Sequence, residues 1–121
     1  MFAAQPKIWL LGDGTMAGWG KAFAEQVGAT VEVKNIAQEG LSMKVLDEMG
    51  GLDSLIVDKT KKDFLLVQLG QNDLNETNLD TYSSLDDFTK KLVALLHAAE
   101  KKKMMVILCT PLAHPYYKEG V

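Results

Sequence analysis

Four short apolar runs, each closed by glycine or small polar residues, set the rhythm of this chain, at residues 7–12, 30–37, 63–70 and 104–110. The first, third and fourth are nearly continuous in Ile, Leu, Val, Met, Phe and Trp, the pattern of parallel strands covered on both faces. The second alternates, Val31 and Val33 against Glu32 and Lys34, which suits a half-exposed edge strand. Helical periodicity fills the gaps. Over residues 17–27, Trp19, Phe23 and Val27 recur every four residues, and Gly28 follows as a C-terminal cap. Residues 43–61 are less regular: Val45, Leu46 and Met49 share a face, Gly50-Gly51 interrupt, and Leu52, Leu55 and Ile56 resume. The clearest helix spans residues 84–102, with Ser84 and Asp87 as a capping-box pair and Leu85, Phe88, Leu92, Leu95, Leu96 and Ala99 as its apolar stripe. Lys101-Lys102-Lys103 then favour the negative end of the helix dipole.

Strands alternating with helices predict a single α/β domain over residues 1–121, with four parallel strands and right-handed crossovers. Ligands of such sheets bind at the carboxyl ends of the strands, near the switch in strand order. The loops that matter are therefore residues 12–18, 37–43 and 70–75, which also hold much of the chain's glycine and small polar content.

Composition narrows the partners. The net charge is −3, with 13 lysines and no arginine. Nucleic acid is disfavoured, because clustered basic residues and arginine forks are its usual footprint. A single cysteine, Cys109, excludes a disulfide framework and a thiolate metal cluster, and its apolar setting reads as a small buried hydrophobe. No apolar stretch approaches the roughly 20 residues of a membrane span. Residues 1–6 are too short for a signal peptide, so a soluble chain is expected, secreted or cytoplasmic.

Four blocks carry a resemblance. Gly12-Asp13-Gly14-Thr15, then Asn35-Ile36-Ala37-Gln38-Glu39-Gly40-Leu41-Ser42, then Gln68-Leu69-Gly70-Gln71-Asn72-Asp73, and finally Thr110-Pro111 fall in the order and strand context of the SGNH, or GDSL-type, hydrolases. Gly18-Trp19-Gly20 adds similarity to the rhamnogalacturonan acetylesterase-like branch of that family. The resemblance implies a flavodoxin-like three-layer α/β/α fold with strand order 2-1-3-4. It also implies acyl-ester hydrolysis on a small ester or acetylated carbohydrate, without cofactor or metal. In the family a first-block serine attacks the ester carbonyl. Its backbone N–H, a second-block glycine N–H and a third-block asparagine amide then hold the oxyanion. Gly40 and Asn72 fall on the last two roles, and a preorganised donor of this type is worth about 2.7–4 kcal/mol in the transition state. Asp13 is expected to brace the first loop; Thr15, Asp73 and His114 are supporting candidates.

Departures from the family pattern set the expectations for activity. Gly14 stands where the serine belongs. Gln71 and His114 stand where this branch more often has histidine and arginine. The family's Asp-x-x-His block, which supplies the base, follows a fifth strand, so the chain is expected to lack the last strand and helix. The remaining hydroxyls, Thr15 and Ser42, fit turn or cap roles, and a hydroxyl without an aligned base is a poor nucleophile. His97, one residue past Leu95-Leu96, reads as a surface residue. The uncovered fourth strand then predicts a homo-oligomer or a complementing partner fragment. Two other readings stay open: a non-catalytic carbohydrate-binding module, and a nucleotide-binding flavodoxin- or Rossmann-like domain. The second rests on Gly12-x-Gly14-x-x-Ala17, but Lys34 and Asn35 occupy the strand end where that fold needs an acid. Asp73, Glu76 and Asp80 have no regular metal-ligand spacing.

Overall fold

A computed structural model describes residues 6–28, 30–55, 57 and 62–109. Within them the elements run β1 (Lys7–Gly12), α1 (Gly14–Val27), β2 (Glu32–Asn35), α2 (Met43–Glu48), β3 (Phe64–Gln68), α3 (Leu85–Lys101) and β4 (Met105–Leu108). The strands form one parallel sheet in the order β2-β1-β3-β4. This is the three-layer α/β arrangement expected of SGNH-type hydrolases.

Strand alternation decides which helix covers which face. Trp9 and Leu11 of β1 and Leu65 and Val67 of β3 point into one apolar cluster with Met43 and Leu46 of α2 and Leu95 and Ala99 of α3. Leu10 points the other way, toward α1, which lies over β1 and β2. Gly20 permits that approach: a Cβ there would stand 2.7 Å from Asn35 Nδ2 and 3.0 Å from Leu10 Cδ1. On the same face of β3 and β4, Phe64 and Leu66 pair with Met105 and Ile107. Met105 and Ile107 are 42% and 46% exposed, so this half of the face is apolar and open.

Several boundaries differ from expectation for local reasons. Helix α1 starts at Gly14 rather than residue 17, because the Asp13 side chain accepts from Thr15 N at 2.9 Å and caps it. Gly28 ends that helix in right-handed geometry, so no positive φ demands glycine there. Strand β2 stops at Asn35, whose Oδ1 accepts from Ala37 N at 3.1 Å and turns the chain out. Strand β3 stops before Gly70, which bends the chain at φ +124. Helix α2 is only six residues long, so Met49 falls beyond it and is 57% exposed rather than sharing a face with Leu46. Leu85, expected on the buried stripe, is the first residue of α3 and is 79% exposed. It lies at a cavity of about 420 Å³ lined also by Leu69, Leu74, Tyr82 and Phe88. Cys109 is half-buried rather than a core residue, lining a neighbouring cavity with Val67 and Leu92. Ile56 and residues 110–121, including Thr110, Pro111 and His114, lie outside the described residues.

At the amino edge of the sheet a buried carboxylate ties strands together. Asp63, 1% exposed, accepts from Lys7 N at 3.0 Å and from Trp9 Nε1 at 3.2 Å. Its carbonyl accepts from Met105 N at 2.9 Å. No helix among the described residues is long and apolar enough to cross a membrane.

Candidate functional site

The three glycine-bearing loops meet at the carboxyl edge, and short polar bonds hold them together. The second loop is tied to the first by Gln38 N donating to Gly12 O at 3.1 Å. It then reverses in a turn closed by Leu41 N donating to Gln38 O at 3.2 Å, with Gly40 at φ +79 in its third position. That conformation favours glycine, and a Cβ at residue 40 would meet nothing within 4 Å. The third loop reaches the second through Asn72 Nδ2, which donates to Leu41 O at 2.9 Å. It reaches the first through Thr15 Oγ1, 3.5 Å from Gln71 Oε1.

Asp73 is the polar centre of this arrangement. It is 2% exposed and accepts from Met43 N at 2.8 Å, from Lys44 N at 3.4 Å and from Ser83 Oγ at 2.6 Å. Two of those donors are first-turn N–H groups of α2, which have no acceptor within the helix. Ser42 satisfies another by accepting from Val45 N at 3.1 Å. Asp73 and Ser42 thus fix the start of α2, and with it the chain that leads out of Gly40. With its oxygens so occupied, Asp73 is a brace. Asp13 plays the corresponding part for α1 and is 3% exposed. Trp19 pins α1 to the end of β3, its Nε1 donating to Gln68 Oε1 at 3.3 Å and its ring edge-on to Phe23 at 5.9 Å.

Gly14 is the first residue of α1 and faces the second loop. A Cβ built on it would stand 3.3 Å from Glu39 Cγ and 3.4 Å from Glu39 Cα and Cβ. Gly12, two residues earlier, behaves differently: a Cβ there would sit 2.8 Å from Met16 and 2.9 Å from Gln68 O. Gly12 is therefore required by packing, whereas position 14 accepts a small side chain if Glu39 gives by a few tenths of an ångström. Glu39 was not singled out in the sequence. Glu39 reads there as one more surface acid, and only the turn before Gly40 lays it across Gly14.

Of the sequence candidates, Asp13, Gly14, Thr15, Gly40, Asn72 and Asp73 all lie in these three loops. His97 is exposed on α3 near its C-terminal end, toward the amino edge of the sheet and away from Gly14. His114 falls outside the described residues. The nucleotide fingerprint gains no support here, because the buried Asp13 carboxylate occupies the Thr15 N–H at the helix N-terminus that a pyrophosphate would use.

No family model matches the chain. It is 29% identical over 127 residues to a probable rhamnogalacturonan acetylesterase, YesY, of Bacillus subtilis, spanning 94% of this chain and 57% of that protein. It is 33% identical over 92 residues to the rhamnogalacturonan acetylesterase RhgT of the same organism, spanning 68% of this chain and 40% of that protein. The chain thus spans about half the length of these relatives. An acetyl xylan esterase, AlAXEase, shares the fold with a TM-score of 0.71 at 24% identity, over 88% of this chain and 59% of that one. By the order of its blocks, its strand topology and these similarities, the chain is SGNH/GDSL hydrolase-like.

Proposed function

We propose that this chain is a carbohydrate O-acetylesterase-type scaffold that keeps the ligand edge and oxyanion donors but performs no serine-type turnover. Gly14 takes the nucleophile position, and the Gly40 N–H and the Asn72 amide take the oxyanion positions. Asp13, Thr15 and Asp73 hold the loops. The observation that carries this reading is the space at residue 14. Unlike Gly12 and Gly20, which packing closes, it accepts a small side chain once Glu39 gives by a few tenths of an ångström, and it lies beside the turn of Gly40. Glycine there leaves positioning and oxyanion contacts without an attacking atom. What remains suits recognition of an acetylated or deacetylated sugar.

A p-nitrophenyl acetate assay on this chain and on Gly14→Ser tests the proposal. Neither is expected to exceed background, because a restored hydroxyl needs an aligned base and, among the described residues, His97 lies on α3 away from it. Clear turnover by the unmodified chain overturns the reading. The open apolar face of Met105 and Ile107 on the outer strand β4, with Leu108 exposed on the strand's other side, further supports a homo-oligomer or a docked partner fragment. A monodisperse monomer in dilute solution by light scattering refutes that part.

A further inference from the structure

The two edges of the sheet are finished differently. At one edge, β2 sets Lys34 and Glu32 in a 3.0 Å ion pair, and charges of this kind discourage pairing with another chain. At the other, β4 lies within Met104-Met105-Val106-Ile107-Leu108-Cys109, a run without charge, proline or glycine. Met105 N donates to Asp63 O at 2.9 Å and Cys109 N to Val67 O at 2.7 Å, so alternate residues turn their backbone groups to β3. The N–H and C=O of Val106 and Leu108 therefore point outward, where no strand among the described residues pairs with them. Helix α3 extends the apolar surface along this edge. Phe88 and Leu92 share a cavity of about 240 Å³ with Leu108, and Leu96 borders another with Met104 and Met105.

We infer that β4 pairs antiparallel with β4 of a second copy of this chain, about a two-fold axis at Ile107, so that the two sheets join into one. The inference rests on the homo-oligomer reading above and names its interface. Outward groups two residues apart are complementary to themselves. Val106 of each copy exchanges N–H···O=C bonds with Leu108 of the other, and Ile107 meets its own copy between them. The same axis sets the Phe88, Leu92 and Leu96 stripe of α3 beside its own copy, on one face of the joined sheet. Charge selects this direction over a parallel pairing. Lys101-Lys102-Lys103 lead directly into β4, so parallel strands would bring two lysine triplets side by side. Antiparallel strands hold them at opposite ends, about 25 Å apart, well beyond the screening length of about 8 Å. The charged β2 edges then close the assembly at two copies.

Light scattering of the chain beside Leu108→Pro tests this, with a cysteine crosslink to fix the register. The unmodified chain is expected at twice the monomer mass. Leu108→Pro removes an outward N–H from each copy and leaves the bonds to β3, so the dimer should weaken about tenfold or more with circular dichroism unchanged. In a Cys109→Ser background, Ile107→Cys should oxidise to a disulfide-linked dimer, because residues paired at the axis stand about 4.5 Å apart at Cα, within disulfide reach. Met49→Cys, exposed just beyond α2, should stay unlinked in the same background. A folded Leu108→Pro chain that dimerises as tightly as the parent overturns the β4 pairing, and leaves a homo-oligomer through another surface. So does an Ile107→Cys chain that links no faster than Met49→Cys, and this second measurement decides alone if Leu108→Pro does not fold. Assemblies larger than two overturn the two-fold closure. A monomer, or a chain that assembles only with a different polypeptide, overturns the second copy as occupant and the homo-oligomer reading with it.

Discussion

Removing the Asp73 carboxylate should cost more than any other single change in the three loops. Asp73→Ala strips the acceptor from two α2 N–H groups and from the Ser83 hydroxyl, all in a site where the carboxylate is 2% exposed. The bonds from Met43 N at 2.8 Å and Ser83 Oγ at 2.6 Å are short and to a charged acceptor, while that from Lys44 N at 3.4 Å is weak. Taking about 1.5–3 kcal/mol for each of the two strong bonds, and little for the third, gives a loss of about 3–6 kcal/mol. That is a large share of the roughly 5–15 kcal/mol that stabilises a domain. Asp73→Asn keeps the shape and one carbonyl oxygen, so its cost should fall to about 1–2 kcal/mol. Urea unfolding followed by tryptophan fluorescence measures both, with the shift in midpoint converted through a common slope. An Asp73→Ala variant within 1 kcal/mol of the parent, or an Asn variant as unstable as the Ala one, refutes the bracing role.

The other loop contacts give smaller and cleaner tests. Gly40→Ala introduces no clash, so its cost is the backbone strain of φ +79 alone, about 1–2 kcal/mol by the same unfolding measurement. A change below half of that would mean the turn relaxes. Asp13→Ala should lose about 1 kcal/mol with the cap of α1, and Asp13→Ser should recover most of it, as read from thermal midpoints. If β4 lies in an interface, Ile107→Lys should shift the species seen by light scattering toward monomer while leaving the circular dichroism spectrum unchanged. An unchanged assembly would place the contact elsewhere.

The parts of the fold set by apolar pattern were readable in the chain, because burial in a parallel sheet leaves a continuous signal. β1 runs over Lys7–Gly12 as that pattern predicts, and the order of elements follows. What the pattern misses is polar. Nothing in the residue types around Asp63 distinguishes a buried acid from a strand-flanking surface one, since its partners lie 54 and 56 positions away. Asp73 is similar, with donors about 30 residues back and 10 ahead. Helix ends were misjudged where one side chain decides them, as with Asp13 before α1. Leu85 and Met49 were misplaced because a helix's first and last turns overhang the sheet that its middle covers. Glu39 gives no signal in the sequence because only the turn of the second loop brings it against Gly14.

Asp63 bears on a question that apolar strands leave open, which is how the sheet finds its alignment. Strands greasy on both faces can slide by one position against a neighbour with little loss of burial, because each face still meets apolar side chains. A slip of β1 against β3 would carry Lys7 N and Trp9 Nε1 away from the Asp63 carboxylate and strand an ion in the interior. An ion left so costs several kcal/mol, more than the slide could recover. The alignment of the central strands is thus chosen by one charge with a single acceptable address, at the end of the sheet opposite the three loops.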